Sequence, residues 1–130
     1  MNYWAVLVAA AASMVIGSVW YSPMLFGNVW MKLVGKTQED IKGNRMAPMT
    51  WAIVFALVTA WILGVVIAWA GASSVGEGLQ VGFWMWFGFV LTSMAMNAMF
   101  EGRPAKLLWI NLGNQLVSLL VAGAILGGWI

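Results

Sequence analysis

The sequence predicts an all-α membrane protein: four transmembrane helices in a bundle, with a short amphipathic interfacial helix between the first and second. Three observations lead there. Hydrophobic residues make up 63% of the 130 residues and charged residues 8%, against roughly 45–50% and 25% in ordinary soluble domains. The charges are clustered, which leaves uncharged blocks at 1–31, 46–76, 78–100 and 107–130. Each block exceeds the roughly 20 apolar residues that carry a helix across a hydrocarbon core about 30 Å thick. Finally, runs such as Ile53-Val54-Phe55-Ala56-Leu57-Val58 lack the apolar–polar alternation of a barrel strand. Only helices then satisfy the backbone N–H and C=O groups in lipid. These features exclude a soluble globular domain and a nucleic-acid binder, and the absence of Cys excludes a disulfide scaffold. The chain reads as one membrane domain over 1–130, with spans at about 3–21, 49–70, 79–100 and 107–129.

The first span carries Ala5, Ala9, Ser13 and Gly17 at spacing four. No Lys or Arg precedes it, so it lacks the charged start of a secretory leader and reads as a retained span. Its uncharged block is too long for one crossing. Ser22-Pro23 interrupts it, because a residue before proline is pushed out of the helical region. Ser22 is expected to cap a new helix that has Pro23 at its first position. From there Phe26, Trp30 and Leu33 share one face, while Asn28, Lys32 and Lys36 fall opposite. That is the pattern of a helix lying in the interface at about 23–34, its lysines toward anionic headgroups. Thr37 to Asp40 reads as a weak capping box. Gly43, Asn44 and Pro48 are expected to break the chain before the second span.

The second span carries Ala52, Ala56, Ala60, Gly64 and Ala68 at spacing four. Small residues let helix backbones approach closely in lipid. The stripes of spans one and two therefore predict packing faces, first of all against each other within one chain. A homo-oligomer seam through the same faces is the sharper alternative. The loop from Gly71 to Gly78 is short, with Glu77 read as a solvated charge. Between the last two spans, Glu101-Gly102-Arg103-Pro104-Ala105-Lys106 predicts a tight turn. Gly102 suits a left-handed helix end and Pro104 a helix start, so these spans form an antiparallel hairpin.

Orientation follows from Lys and Arg. The loop after span one holds Lys32, Lys36, Lys42 and Arg45, and the last turn holds Arg103 and Lys106. The middle loop and both termini hold none, which predicts that these two loops are cytoplasmic and both termini lie outside, in the cell (inner or plasma) membrane. Tyr3, Trp4, Trp69, Trp84 and Trp129 are expected to belt the outer interface, and Trp20, Tyr21, Trp51, Phe100 and Trp109 the inner one. Trp61 falls mid-span and is expected to be held by packing.

Catalytic machinery is sparse: there is no His, no Cys, and the carboxylates lie in loops. No cofactor is expected. Methionine could hold a soft ion such as Cu(I), and Met46, Met49, Met94, Met96 and Met99 are the candidates. Met94 and Met96, two apart on a helix, point to different faces, and Met is an ordinary adaptable packer, so no metal site is expected. The notable polar cluster lies in the last hairpin. Ser93, Asn97 and Glu101 share one face of the third span. Asn111, Gln115 and Ser118 share one face of the fourth, with Asn114 beside them. Folding the hairpin about 103–104 places Asn97 near Asn111, and Ser93 near Asn114 or Gln115. Amides in hydrocarbon must meet each other, water or a ligand. Interhelical hydrogen bonding is the plain explanation; a polar pocket open to the cytoplasm is the functional one. Glu101 opposes the helix dipole, and Arg103 or Lys106 is placed to compensate it.

Gly17-Ser18-Val19-Trp20-Tyr21-Ser22-Pro23, followed by Phe26-Gly27 and Trp30, resembles the N-terminal signature of the domain of unknown function 1761 family. Gly102-Arg103-Pro104 with Lys106-Leu107 and Ile110-Asn111 resembles its second signature. The resemblance spans essentially the whole chain. It implies a small integral membrane protein of about four spans and brings no established activity. It draws attention to the 20–30 segment and the 101–111 turn, which by the predicted topology lie at the same face and could form one feature. Ser93, Asn97, Glu101, Asn111, Asn114, Gln115, Trp20, Tyr21, Pro23, Trp30 and Arg103 are therefore the candidate binding residues. The expected class is a non-enzymatic membrane protein, either a permease- or channel-like module for a small solute or ion, or an accessory protein that binds lipid or a partner membrane protein.

Overall fold

The computed structural model describes residues 2–35 and 46–129. Its regular structure is entirely helical. In order it has α1 (Tyr3–Trp20), α2 (Gly27–Val34), α3 (Met46–Ala70), α4 (Val75–Met85), a π-helical turn (Trp86–Leu91), α5 (Thr92–Glu101) and α6 (Ala105–Gly128). With Val75–Glu101 counted as one rod, four helices are long and apolar enough to cross a membrane.

α6 is the axis of the bundle. It touches α1, α3 and α4, and Leu112 near its middle is fully buried. Its closest neighbour is α4. A Cβ on Gly78 would stand 2.0 Å from the Gly123 carbonyl oxygen, and one on Gly82 would stand 2.4 Å from that of Leu119. Only glycine permits backbones this close, and the contact replaces hydrophobic force, which is weak between helices in lipid. α1 and α3 also meet within the chain as the small-residue stripes predict: Ala5, Ala9, Ala60 and Gly64 are buried.

Several element boundaries differ from expectation. Ser22 does not cap a helix at Pro23. Its hydroxyl donates back to the Val19 carbonyl at 2.6 Å, residues 21–26 form turns, and α2 starts only at Gly27. Gly27 is needed there because a Cβ would meet the Tyr21 carbonyl oxygen at 2.3 Å. Pro48 lies inside α3 rather than before it; in a first turn the missing N–H costs nothing, since those donors lack intrahelical partners. α4 begins at Val75, four residues earlier than expected. Ser74 caps it, accepting from the Glu77 N–H at 3.2 Å, while its hydroxyl donates to the Glu77 carboxylate at 3.1 Å. Glu77 is thus tied to the N-cap through both its N–H and its carboxylate, each bonded to the Ser74 hydroxyl, and is not a free loop charge. Pro104 stands one position before the helix it introduces, and Gly102 ends α5 in the left-handed conformation, φ 70°. Trp61 is 48% exposed, so packing does not explain it. Thr37 to Asp40, Gly43 and Asn44 lie outside the described residues.

The two ends of the bundle differ. At one end Asn2, Ala5, Ala72, Leu126 and Trp129 help to line a cavity of about 70 Å³, which places both ends of the described chain together. At the other end the turn after α1 rests on the first turns of α6, and the α5–α6 turn lies beside it.

Candidate functional site

The second end holds the polar chemistry. Between α5 and α6 opens a cleft of about 130 Å³, lined by Met94, Asn97, Ala98, Glu101, Arg103, Leu107, Leu108 and Asn111. It exists because the hairpin is tight only in its other half. Past the π-helical turn, α5 no longer follows the glycine seam, and its backbone stands off α6. At the mouth, Arg103 Nε donates to a Glu101 carboxylate oxygen at 2.6 Å, with both side chains more than half exposed. This pair compensates the carboxylate that would otherwise oppose the α5 dipole.

The far wall is fastened by the turn after α1. The Tyr21 hydroxyl donates to Asn111 Oδ1 at 2.6 Å, and Trp20 Nε1 donates to the Ile110 carbonyl at 2.9 Å. The Trp20 indole lies where a Cβ of residue 113 would be, 2.7 Å from it, so Gly113 makes room for the ring. From the opposite side Trp86, at the start of the π-helical turn, donates to the Leu112 carbonyl at 3.0 Å. A helical carbonyl has a second lone pair to accept such a bond without breaking its ladder. Two indoles and a phenol thus grip consecutive residues, Ile110, Asn111 and Leu112. Burial holds the Tyr21 phenol above its ordinary range, with neighbouring Asn114 acting in the opposite direction. The hydroxyl therefore stays a neutral donor through the physiological range.

The predicted cluster divides into parts. Asn97, Glu101, Arg103 and Asn111 line one cleft. Asn114 faces α1 instead: its Oδ1 is buried without a partner and lies 4.0 Å from where a Gly17 Cβ would be. Ser93 and Gln115 are exposed, outside the cleft lining. Trp20 and Tyr21 both bond to α6. Trp30 contributes a ring edge to Tyr21 at 5.6 Å. Pro23 is exposed in the turn and touches none of this chemistry. Met94 lines the cleft, but Met96 and Met99 are 59% and 81% exposed. Among the described residues no three His, Cys, Asp or Glu side chains gather as a metal site would require.

The glycine seam and the two indole bonds escaped the sequence reading. The seam had a signal: Gly78 and Gly82, and Gly123 and Gly127, stand four apart on facing spans, the small-residue spacing of close helix pairs. The indole bonds had none, because any Trp near a helix end reads equally well as an interfacial anchor.

Fold and cleft together define a class, a small helical bundle with four membrane-length helices and a polar cleft at one end. The chain belongs to the family described as Protein of unknown function (DUF1761), whose family model matches residues 4–127. No curated protein and no solved structure matches it.

Proposed function

We propose that the chain is a non-enzymatic, multi-pass protein of the cell membrane and that its α5–α6 cleft is the cytoplasmic mouth of a permease- or channel-like module for a small solute or ion. The observation that carries this reading is the cleft itself: two amides and an ion pair around about 130 Å³, with one amide held from behind by Tyr21. Polar groups that face a cavity at membrane depth are costly unless water or a ligand meets them. The volume is below the roughly 300–1,000 Å³ of pockets for drug-sized molecules, so the solute is small. Among the described residues, Lys32, Arg103 and Lys106 belong to this end and no Lys or Arg to the other, which supports a cytoplasmic cleft and external termini.

A second reading, an accessory protein that binds lipid or a partner membrane protein, draws support from α2. Its Lys32 is exposed while Trp30 and Leu33 are half-buried, as in a helix lying on a membrane surface. Flux through proteoliposomes separates the readings. The first expects solute or ion flux that Asn97→Leu and Asn111→Leu abolish while the protein still assembles. Wild-type protein without flux, across a panel of small ions and neutral solutes, would leave the accessory reading. A reporter fused to the C-terminus tests the orientation, with an external signal expected.

A further inference from the structure

One buried polar atom is left unsatisfied by the fold, and it lies behind the cleft lining. Asn114 follows Asn111 by three residues and Ala105 by nine on α6. At 1.5 Å per residue it stands about 14 Å into that helix, near mid-membrane depth. The Tyr21 hydroxyl has one proton, and it goes to Asn111 Oδ1 at 2.6 Å. Asn114 lies against the same phenol and favours its ionised form, as an N–H donor does. The amide therefore turns Nδ2 toward Tyr21 and Oδ1 toward Gly17 of α1. There Oδ1 is buried, and no described group donates to it. The α1 hydroxyls on either side of Gly17 are committed to their own helix: Ser13 donates to the Ala9 carbonyl at 3.1 Å and Ser18 to that of Met14 at 2.9 Å. Ser118, the buried hydroxyl one turn further along α6, does not reach it either. The space beside Oδ1 is a second, independent observation. Where Gly78, Gly82, Gly113 and Gly123 face a neighbour, an added Cβ would come within 3.0 Å of another atom. A Cβ on Gly17 would meet a single atom, Asn114 Oδ1, at 4.0 Å. The seam between α1 and α6 thus has room here for a methyl-sized group, and the atom facing that room is an acceptor.

We infer that Asn114 Oδ1 is the acceptor of a second binding position, between α1 and α6 behind the cleft, for one small neutral hydrogen-bond donor: a water molecule, or the N–H of a small solute that reaches it past Tyr21. A buried carbonyl oxygen without a donor is costly, and lipid supplies none. Buried waters are held by polar atoms of this kind, and the room beside Gly17 matches a donor of that size. Neither α1 nor α6 carries an acidic residue, and one neutral oxygen falls far short of the oxygen cage that a hard metal cation needs. The donor is therefore neutral. Asn111, Tyr21 and Asn114 then join the cleft wall to this deeper position, so that the phenol stands between two polar stations. The inference rests on the geometry of the cleft wall and not on transport.

The test reads the infrared C=O stretch of the Asn114 side chain in bilayers, with carbon-13 at the asparagine side-chain carbonyls. The Asn114 band is isolated as the difference between wild type and Asn114→Leu. It is expected at the lower frequency of a hydrogen-bonded amide. A bonded band in buffer alone assigns the donor as water; one that appears only when formamide is added assigns it as a solute N–H. Gly17→Ala sets a methyl group in the same room at ordinary contact distance, 4.0 Å from Oδ1. It is expected to fold as wild type does and to shift the band up to the unbonded frequency. An unbonded band both in buffer and with formamide overturns the inference, and so does a bonded band that Gly17→Ala leaves in place. If Asn114→Leu does not fold, the difference between wild type and Gly17→Ala carries the test, and no difference overturns the inference. If Gly17→Ala does not fold, the wild-type band decides. A bonded Asn114 in a protein without flux leaves this inference standing and removes the transport reading; flux with an unbonded Asn114 does the reverse.

Discussion

The two halves of the last hairpin use the same pair of rods in opposite ways. From Val75 to Met85 the rod is pressed onto α6 through Gly78, Gly82 and Gly123 until backbone touches backbone. From Thr92 to Glu101 it stands away and leaves a polar cleft. Between them lies the π-helical turn, pinned at its start by the Trp86 bond to Leu112. One half supplies cohesion through the absence of side chains; the other holds the side chains that chemistry needs. The contrast teaches that the cleft is not a packing flaw. It is the place where a tightly clamped helix is released from its partner at a defined residue.

The sharpest way to break the contrast is to destroy the tight half. Gly123→Val puts a branched side chain where the Gly78 carbonyl oxygen already lies 2.3 Å from a single Cβ. The rods must separate, at an expected cost above about 3 kcal/mol. Loss of the folded fraction in detergent thermal melts checks this, and Gly88→Ala, which meets nothing within 4 Å, should lower the melting temperature far less. Next in size is the pin. Trp86→Phe keeps the ring bulk but removes the donor to Leu112, at an expected cost of about 1–2 kcal/mol. Steric trapping or chemical unfolding would read it.

Smaller effects come from the open half. Tyr21→Phe deletes one interhelical bond to Asn111 and is expected to cost about 0.6–1.5 kcal/mol. Because it frees a wall of the cleft, accessibility of an Asn97→Cys probe to a water-soluble thiol reagent should rise; unchanged labelling would show that the phenol does not hold that wall. Smallest is the mouth. Glu101→Gln breaks an ion pair with both partners more than half exposed and should change stability by less than about 0.5 kcal/mol. A large loss there would mean that the pair is buried in the assembled protein.

The four rods, the turn at Gly102 and the α1–α3 contact were legible in the sequence because each rests on a local rule: block length, left-handed glycine, small-residue spacing. Asn97 and Asn111 were brought together by counting residues back from the turn, which works wherever an antiparallel hairpin stays regular. Counting failed one turn deeper. Ser93 was expected against Asn114 or Gln115, but Asn114 turns to Gly17 on α1, and Ser93 and Gln115 are exposed with no hydrogen bond between them. The role of Trp20 was invisible for another reason. An indole beside a helix end has two good fates, lipid headgroup or protein carbonyl, and the gap that admits it over Gly113 appears only after α6 is in place. Glu77 was readable and was missed: Ser74 stands three residues before it, in the spacing of a capping box.

The π-helical turn has a consequence for how this chain tolerates change in length. Such a turn is an α-helix that has absorbed one residue beyond its natural winding, so Trp86–Leu91 acts as a spare unit of chain. Removing Gly88, where an added Cβ would meet nothing within 4 Å, would let the rod wind evenly while everything after it kept its phase. Asn97 would stay at the cleft, and the glycine seam below would remain untouched. The same deletion in the regular helix of α5, before Asn97, would instead turn Asn97 by about 100°, so the chain absorbs a lost residue at one place and not at the other.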